Sequence, residues 1–546
     1  MFVRTKKDQG RTYLQIVESY REGGKVRQRV IATLGRMEEL QARGQVDGII
    51  NSLSKFSEKL KVTEEYASGR LEAKKVTRIG PDLIAGRLWD ETGLRDIVAG
   101  MASQRKHSFS LERAVYLSVL SRLFFPGSDR RAARITRDYR ASGAEGLELH
   151  QIYRAMAWLG EERARIEDEL FDRNKSLFTS LSVVFFDTTS IYFEGQGGET
   201  LGRKGYSKDR RPDENQMIVG MVTDQDGKPI SCPMWPGNTT DAKTIIPVAS
   251  SLRKRFGAGD VVIVADRGMM GKKNTEAIAS LGYPYILGVK MRLEKKAMAD
   301  VLSRAGRFSD VQDNLKVKEV AHEGRRYIVC LNPDEQKKDR LAREAMIAAL
   351  KEKLKGGAGQ LIGNSGYRRY LKVDSGSVTI DAKKVAQEER YDGKWVLETT
   401  TELPTNEVAL RYKDLWMVER IFREAKDTLE TRPVFHKCDS TIAGHVFVSF
   451  LALILMHELK RRIDFPAEWD EIRADLDALY EVEVESDGRT FLLRSPLEGI
   501  CGKVFKATGV AIPPTARLAK VCARPFSDPS EMALLKDSQK TTVEDE

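Results

Sequence analysis

Residues 181–193 read LSVVFFDTTSIYF, an apolar run interrupted by one aspartate, Asp187. Residues 261–269 read VVIVADRGM, a second such run that ends at Asp266. Short runs this rich in Val, Ile and Phe predict strands buried in a sheet. Between them, QMIVGMVTDQDGKPI (216–230) and SCPMWPGN (231–238) predict two more strands, the first closing at an Asp-Gly turn. DAKTIIPVASSLRKRF (241–256) predicts a helix whose N-cap is Thr240 or Asp241. KKNTEAIASLG (272–282) predicts a second helix, and PYILGVKM (284–291) a further strand. The order β-β-β-α-β-α-β predicts a mixed α/β sheet across 181–292.

A carboxylate amid apolar residues is costly unless it is paired or coordinated. One such aspartate reads equally as a satisfied cap or an ion-pair partner. Two, each on a strand of the same predicted sheet, point to a shared divalent cation. Carboxylate oxygens suit magnesium or manganese, which are hard ions.

A third acid lies in RYKDLWMVERIFREAKDTL (411–429), which predicts a helix. At about 100° per residue, Tyr412, Trp416, Glu419, Arg423 and Lys426 share one face. Met417, Val418, Ile421, Phe422 and Leu429 lie on the other. An ordinary solvated amphipathic helix has the same periodicity. Solvated faces seldom carry both Tyr and Trp, which favours a functional face.

The rest of the chain bounds the setting. At 546 residues it is too long for one core, and two to four domains are expected. It is 41% hydrophobic and 31% charged, as soluble globular proteins are, with a net charge of +10. That excess suits a polyanionic partner, although ordinary enzymes also reach it. The five cysteines, Cys232, Cys330, Cys438, Cys501 and Cys522, are scattered without a C-x-x-C pair. They argue for a reducing compartment and against a disulfide framework or structural zinc site. MFVRTKKDQGRTY (1–13) has no apolar signal core, and Val446–Met456 is too short to span a bilayer. A cytoplasmic protein with a buried core helix and no membrane partner is expected.

Residues 1–36 predict a β-hairpin, TYLQIVESY and VRQRVIATLG joined by REGGK, with nine Lys/Arg against three Asp/Glu. It reads equally as a DNA-touching arm or a solvated basic hairpin. Residues 37–180 predict a mostly helical DNA-binding or dimerising region. Residues 181–292 form the first part of the catalytic domain, 293–410 an insertion domain, and 411–465 the second part. Residues 466–546 read as a small α+β piece ending in a disordered polar tail, SDPSEMALLKDSQKTTVEDE. Lys208, Arg210 and Arg211 follow the first catalytic strand, where they could grip DNA or merely form a solvated turn. His436 and His445, nine apart, suit polar contacts better than a shared metal on one helix.

These motifs, taken in order, resemble the DDE transposases of bacterial insertion sequences, in the insertion-sequence-four-like group. That group carries a Tyr-x2-Arg-x3-Glu-x6-Lys signature. Here the positions are Tyr412, Leu415, Glu419 and Lys426, with Leu415 in place of the arginine. GYSKDRRPDENQMIVGMVTDQDGKPI (205–230) and PGNTTD (236–241) are also similar to the family's segment after its first aspartate. The resemblance implies a ribonuclease-H-like fold, with Asp187, Asp266 and Glu419 holding two Mg2+ or Mn2+ ions. Such a pair clamps the attacking and leaving oxygens of an in-line displacement at phosphorus. It further implies that Lys426, Arg423 and Tyr412 hold phosphates, and offers Trp416 as a stacking surface for an extruded base. Double-stranded DNA, both transposon ends and target, is the implied partner, with a homodimer in the DNA complex. A ribonuclease-H-like nuclease that cuts without joining, and an inactive DNA-binding relic, are the alternatives. A structural protein whose acids merely cap strands would bind no metal at Asp187.

Overall fold

The structure is a computed structural model that describes residues 2–22, 25–54, 72–173, 183–256, 261–269, 271–355, 365–374, 377–486 and 489–519. The polar tail 527–546 and the Gly-Gly of the first hairpin lie outside the described residues. The chain divides into two units. One comprises residues 1–80, 138–140 and 467–546; the other comprises 81–137 and 141–466.

In the first unit the predicted hairpin is present and gains a strand. β1 (Phe2–Asp8), β2 (Arg11–Glu22) and β3 (Lys25–Arg36) form an antiparallel sheet. Gln9 and Gly10, both at positive φ, make the two-residue turn between β1 and β2. That backbone matches the twist of the flanking strands. β4 (Glu72–Arg78) does not belong to the helical region expected at 37–180. It pairs antiparallel with the strand Tyr480–Ser486 and completes a four-stranded sheet of the C-terminal piece. Without β4 that strand would present an open edge.

The remaining helices of 81–173 join the second unit. Leu111–Phe124 and Leu149–Arg173 pack against the long helix Asp439–Arg462. That last helix is long and apolar enough to cross a membrane, but 89% of its most apolar stretch is buried inside the chain. Glycines set its crossing. A Cβ on Gly444 would meet the Met156 carbonyl oxygen at 1.9 Å, and one on Gly160 would meet that of Ser440 at 2.0 Å. Only glycine permits backbones to approach so closely.

The second unit also holds a ten-stranded mixed sheet. β5 (Val183–Tyr192) lies between β6 (Gln216–Thr223) and β9 (Val262–Ala265). β6 pairs antiparallel with β5, and β7 (Pro229–Ser231) and β8 (Met234–Pro236) pair with β6. On the other side, β9 and β10 (Tyr285–Gly288) run parallel to β5. This is the expected ribonuclease-H-like mixed sheet. Val184 and Phe186 of β5 join Ile263, Ala265, Tyr285 and Leu287 under the helix Ile245–Phe256. The odd-numbered residues of β5 therefore face the opposite layer. There Thr189 and Ile191 line a small cavity together with Phe422, Ala425 and Phe450.

Of the expected insertion at 293–410, part extends the same sheet, whereas Leu350, Tyr370 and Leu371 form a cluster of their own. β11 (Ser309–Gln312), β12 (Leu315–His322) and β13 (Arg325–Leu331) extend the same sheet. The strand Lys394–Thr399 joins them to β10, pairing antiparallel with both β13 and β10. The edge that β10 would otherwise expose is thereby paired.

Candidate active site

Asp187 and Asp266 occupy matching places on adjacent parallel strands. Phe186 pairs with Ala265, and each aspartate is the next residue along. Neighbouring strands lie about 4.8 Å apart. Phe186 and Ala265 both point into the core under the Ile245–Phe256 helix. By strand alternation both aspartates face the other layer, the one carrying the helix Trp416–Arg423.

The electrostatics agree with that proximity. Burial pushes the Asp187 carboxyl up to about 7, and the charges of Asp266 and Asp241 add to the rise. Lys208 and the Thr188 backbone N–H oppose it. The Thr188 N–H donates to Asp187 Oδ1 at 2.7 Å. Asp266 accepts a hydrogen bond from Tyr412 Oη at 3.1 Å. Gly288 at the end of β10 makes that contact possible, since a Cβ there would lie 2.3 Å from the Tyr412 hydroxyl. Burial and the Asp266 charge raise the Tyr412 hydroxyl far above its usual range, so it stays protonated and donates.

Asp266, Tyr412, Trp416 and Glu419 line one cleft of about 660 Å³, together with Arg267 and Lys413. Glu419 is exposed within it, and Trp416 is 48% exposed with the Arg420 guanidinium over its ring at 5.0 Å. Val418, Ile421, Phe422 and Leu429 are buried, as the helical wheel predicts.

The wheel fails beyond that point. The expected single helix over 411–429 is three pieces: Thr405–Lys413, Trp416–Arg423 and a π-helical turn at Glu424–Thr428. A π turn shifts the residues after it around the axis. Lys426, within that turn, does not line the cleft and donates to Asp209 Oδ1 at 2.8 Å, largely buried. Arg432 pairs with the same oxygen. Arg423 is exposed but does not line the cleft.

Three basic residues were expected after the first strand. Lys208 turns inward: its Nζ donates to the Thr188 carbonyl at 2.7 Å and pairs with Asp241 at 3.3 Å. Arg210 is exposed at φ +58°, and Arg211 lies over the Tyr192 ring at 5.3 Å.

Asp241 is the site residue that sequence reasoning missed. It was read as a candidate N-cap, but neither it nor Thr240 caps a helix with its side chain. A 3-10 turn covers Asp241–Lys243, and the α-helix starts only at Ile245. The Asp241 carboxylate instead accepts from Thr188 Oγ1 at 2.6 Å. The PGNTTD segment was the one signal that marked it.

His436 and His445 meet, but not on one helix. His436 precedes the helix Asp439–Arg462 and donates from Nε2 to Asp129 at 2.9 Å. The three side chains have ligand atoms within 4.8 Å of one another. Both His445 nitrogens are already used: Nδ1 accepts from Arg122, and Nε2 donates to the Thr431 carbonyl. Burial and the Arg122 charge hold the His445 imidazole neutral. These contacts match the polar role expected of the pair.

Two family models match the chain. "IS1634 family transposase, N-terminal domain" matches residues 2–66, and "Transposase DDE domain" matches residues 179–455. No curated protein matches at a significant level. Among solved structures, the piggyBac transposase synaptic complex with hairpin DNA is 9% identical, covering 73% of this chain and 76% of that one, with a TM-score of 0.34. The Mos1 transposase paired-end complex with left transposon end is 13% identical, covering 33% and 60%, with a TM-score of 0.15. Likeness at that level decides nothing about the site. The DDE domain match alone spans just over half of the 546 residues, and the chain belongs to the DDE transposases of insertion sequences.

Proposed function

We propose that this transposase cuts DNA at the ends of its insertion sequence and joins them to target DNA, with Asp187, Asp266 and Glu419 as its catalytic carboxylates. The observation that carries the reading is the pairing of Asp187 with Asp266 on neighbouring parallel strands, facing the layer that holds Glu419. The donor set is all oxygen, which suits magnesium or manganese. Burial beside two other acids makes a charged Asp187 unfavourable unless a cation shares the site. Two divalent ions, when bound, supply Lewis acidity to the attacking and leaving oxygens.

The chain's own residues do the rest. Tyr412 fixes Asp266 by its hydrogen bond, and Lys208 holds Thr188 and Asp241 behind Asp187. Trp416 and Lys413 in the cleft wall, with the exposed Arg423, Arg210 and Arg211, offer stacking and phosphate contacts. The basic sheet β1–β3 adds backbone contacts to double-stranded DNA. Two ends must be brought together, so a homodimer on DNA is part of the proposal.

The test uses DNA carrying the inverted repeats that flank the gene, a supercoiled target, and Mg2+ or Mn2+. The expected products are cleaved ends and joined molecules, both abolished by EDTA. Cleavage without joining would favour the nuclease alternative. Binding without either would favour the inactive relic.

A further inference from the structure

The loop between β5 and β6 includes RKGYSKDRR (203–211). Within it Tyr206 is 86% exposed. One exposed ring needs no explanation by itself. The way its backbone is held does.

Gly205 is wedged against the chain, since a Cβ there would meet the Gly237 carbonyl oxygen at 2.0 Å. Gln216 is fully buried, and its Nε2 donates to the Tyr206 carbonyl at 2.9 Å. On the other side, the Lys208 N–H donates to Ser190 Oγ at 2.9 Å, and Lys208 Nζ reaches Thr188. Asp209 is tied to Lys426 and Arg432. The backbone around Tyr206 is thus pinned to β5, β6 and the segment after Glu419, while the ring stands in solvent. With the backbone held this way, only the ring's rotamers remain to be ordered on binding.

Its surroundings name the ligand. Residues 203–211 contain five basic residues against one acid, Asp209. Asp209 is matched by Lys426 and Arg432 and Lys208 by Asp241, so the local positive charge comes from Arg203, Lys204, Arg210 and Arg211. Positive charge beside an aromatic face suits a strand of phosphates with a base on the ring. Lys208, two residues on, touches the residue after Asp187, so the loop borders the carboxylate site. We infer that Tyr206 stacks on an unpaired nucleobase of the DNA being cut, which would hold the strand open beside Asp187. This rests on the transposase reading above.

Full-length wild type, Tyr206→Ala and Tyr206→Phe are compared in EDTA on two short duplexes. One carries an unpaired 2-aminopurine and the other the same base paired. Wild type and Tyr206→Phe should quench the unpaired base. Tyr206→Ala should lose the quenching and bind that duplex about 5- to 100-fold more weakly. All three should bind the paired duplex alike. Quenching by Tyr206→Ala equal to wild type overturns the assignment. So does an equal loss on both duplexes, which would make the residue a general contact. Unchanged quenching with weakened self-association would assign the ring to a second copy and also overturn it. If wild type binds neither duplex, the proposed cutting and joining of DNA fails as well. If it binds both and the alanine variant behaves identically, only the stacking role fails.

Discussion

The Lys426 ammonium donates to the Asp209 carboxylate at 2.8 Å, joining the β5–β6 loop to the segment that follows Glu419. Arg432 shares that oxygen, and the second Asp209 oxygen is buried without a partner. Replacing Asp209 by Asn would take the counter-charge from the largely buried Lys426 and leave Arg432 with Asp427 alone. Loss of one partner from a buried ion pair typically costs about 3–5 kcal/mol. Urea unfolding of Asp209→Asn should show a loss on that scale. An unchanged midpoint would mean that the pair contributes nothing to the fold.

The basic sheet β1–β3 predicts a salt-dependent share of DNA binding. Each phosphate neutralised contributes about 0.9 to the slope of log affinity against log salt. Deletion of residues 1–36, with nine Lys/Arg and three Asp/Glu, should flatten that slope. Measured by anisotropy across a salt series, an identical slope would return the sheet to a merely solvated role.

The parts legible in the sequence were those with local signals. β5 and β9 were visible as apolar runs, because strands covered on both faces need apolar residues throughout. The inward side of the Glu419 helix was visible because Val418, Ile421 and Phe422 recur at helical spacing. What was hidden depends on distant partners. Asp241 reaches Thr188 from 53 positions away, and Asp209 reaches Lys426 from 217. No periodicity announces such contacts. The break at Asp414–Leu415 and the π turn at Glu424 escaped because both preserve the burial of Phe422 and Leu429 while rotating what lies between. Nothing local named β10 as the neighbour of the strand Lys394–Thr399 either.

Asp187 carries a stability cost that depends on pH. Its folded-state value near 7 lies above the ordinary 3.8, so the folded chain holds that proton more tightly than the unfolded chain. Stability from this group is therefore greatest below about pH 4 and is lost as pH rises through about 7. At about 1.36 kcal/mol per tenfold change, the full penalty is at most ~4 kcal/mol. In EDTA above about pH 7, Asp187→Asn should melt later than wild type, and the gain should vanish toward about pH 4. Added Mg2+ or Mn2+ should stabilise wild type by mass action and leave the variant nearly unmoved. A variant that melts earlier at every pH would contradict the burial argument.

Glu419 and Glu424 lie in one helical segment, so the choice of third carboxylate must come from geometry. Glu424 is engaged elsewhere: Lys460 Nζ donates to it at 2.7 Å, and Arg420 pairs with it at 3.8 Å. Among the described residues Glu419 has no such competitor, and it lines the cleft with Asp266 and Tyr412. Its carboxylate is therefore available to a cation, whereas that of Glu424 is held by two basic side chains. Glu419→Gln keeps size and hydrogen bonding but removes the charge. It should still bind end DNA while cleavage and joining fall at least ~100-fold, the scale on which one electrostatic group matters at a charged transition state. Glu424→Gln should keep most of both activities and lose under about 1 kcal/mol of stability, since its ion pairs are only partly shielded. Metal-dependent cleavage and joining by the two variants, assayed side by side on the same end DNA, decide the matter. Loss in Glu424→Gln with activity retained in Glu419→Gln would reverse the assignment and move the candidate metal site to the Lys460 side of the helix.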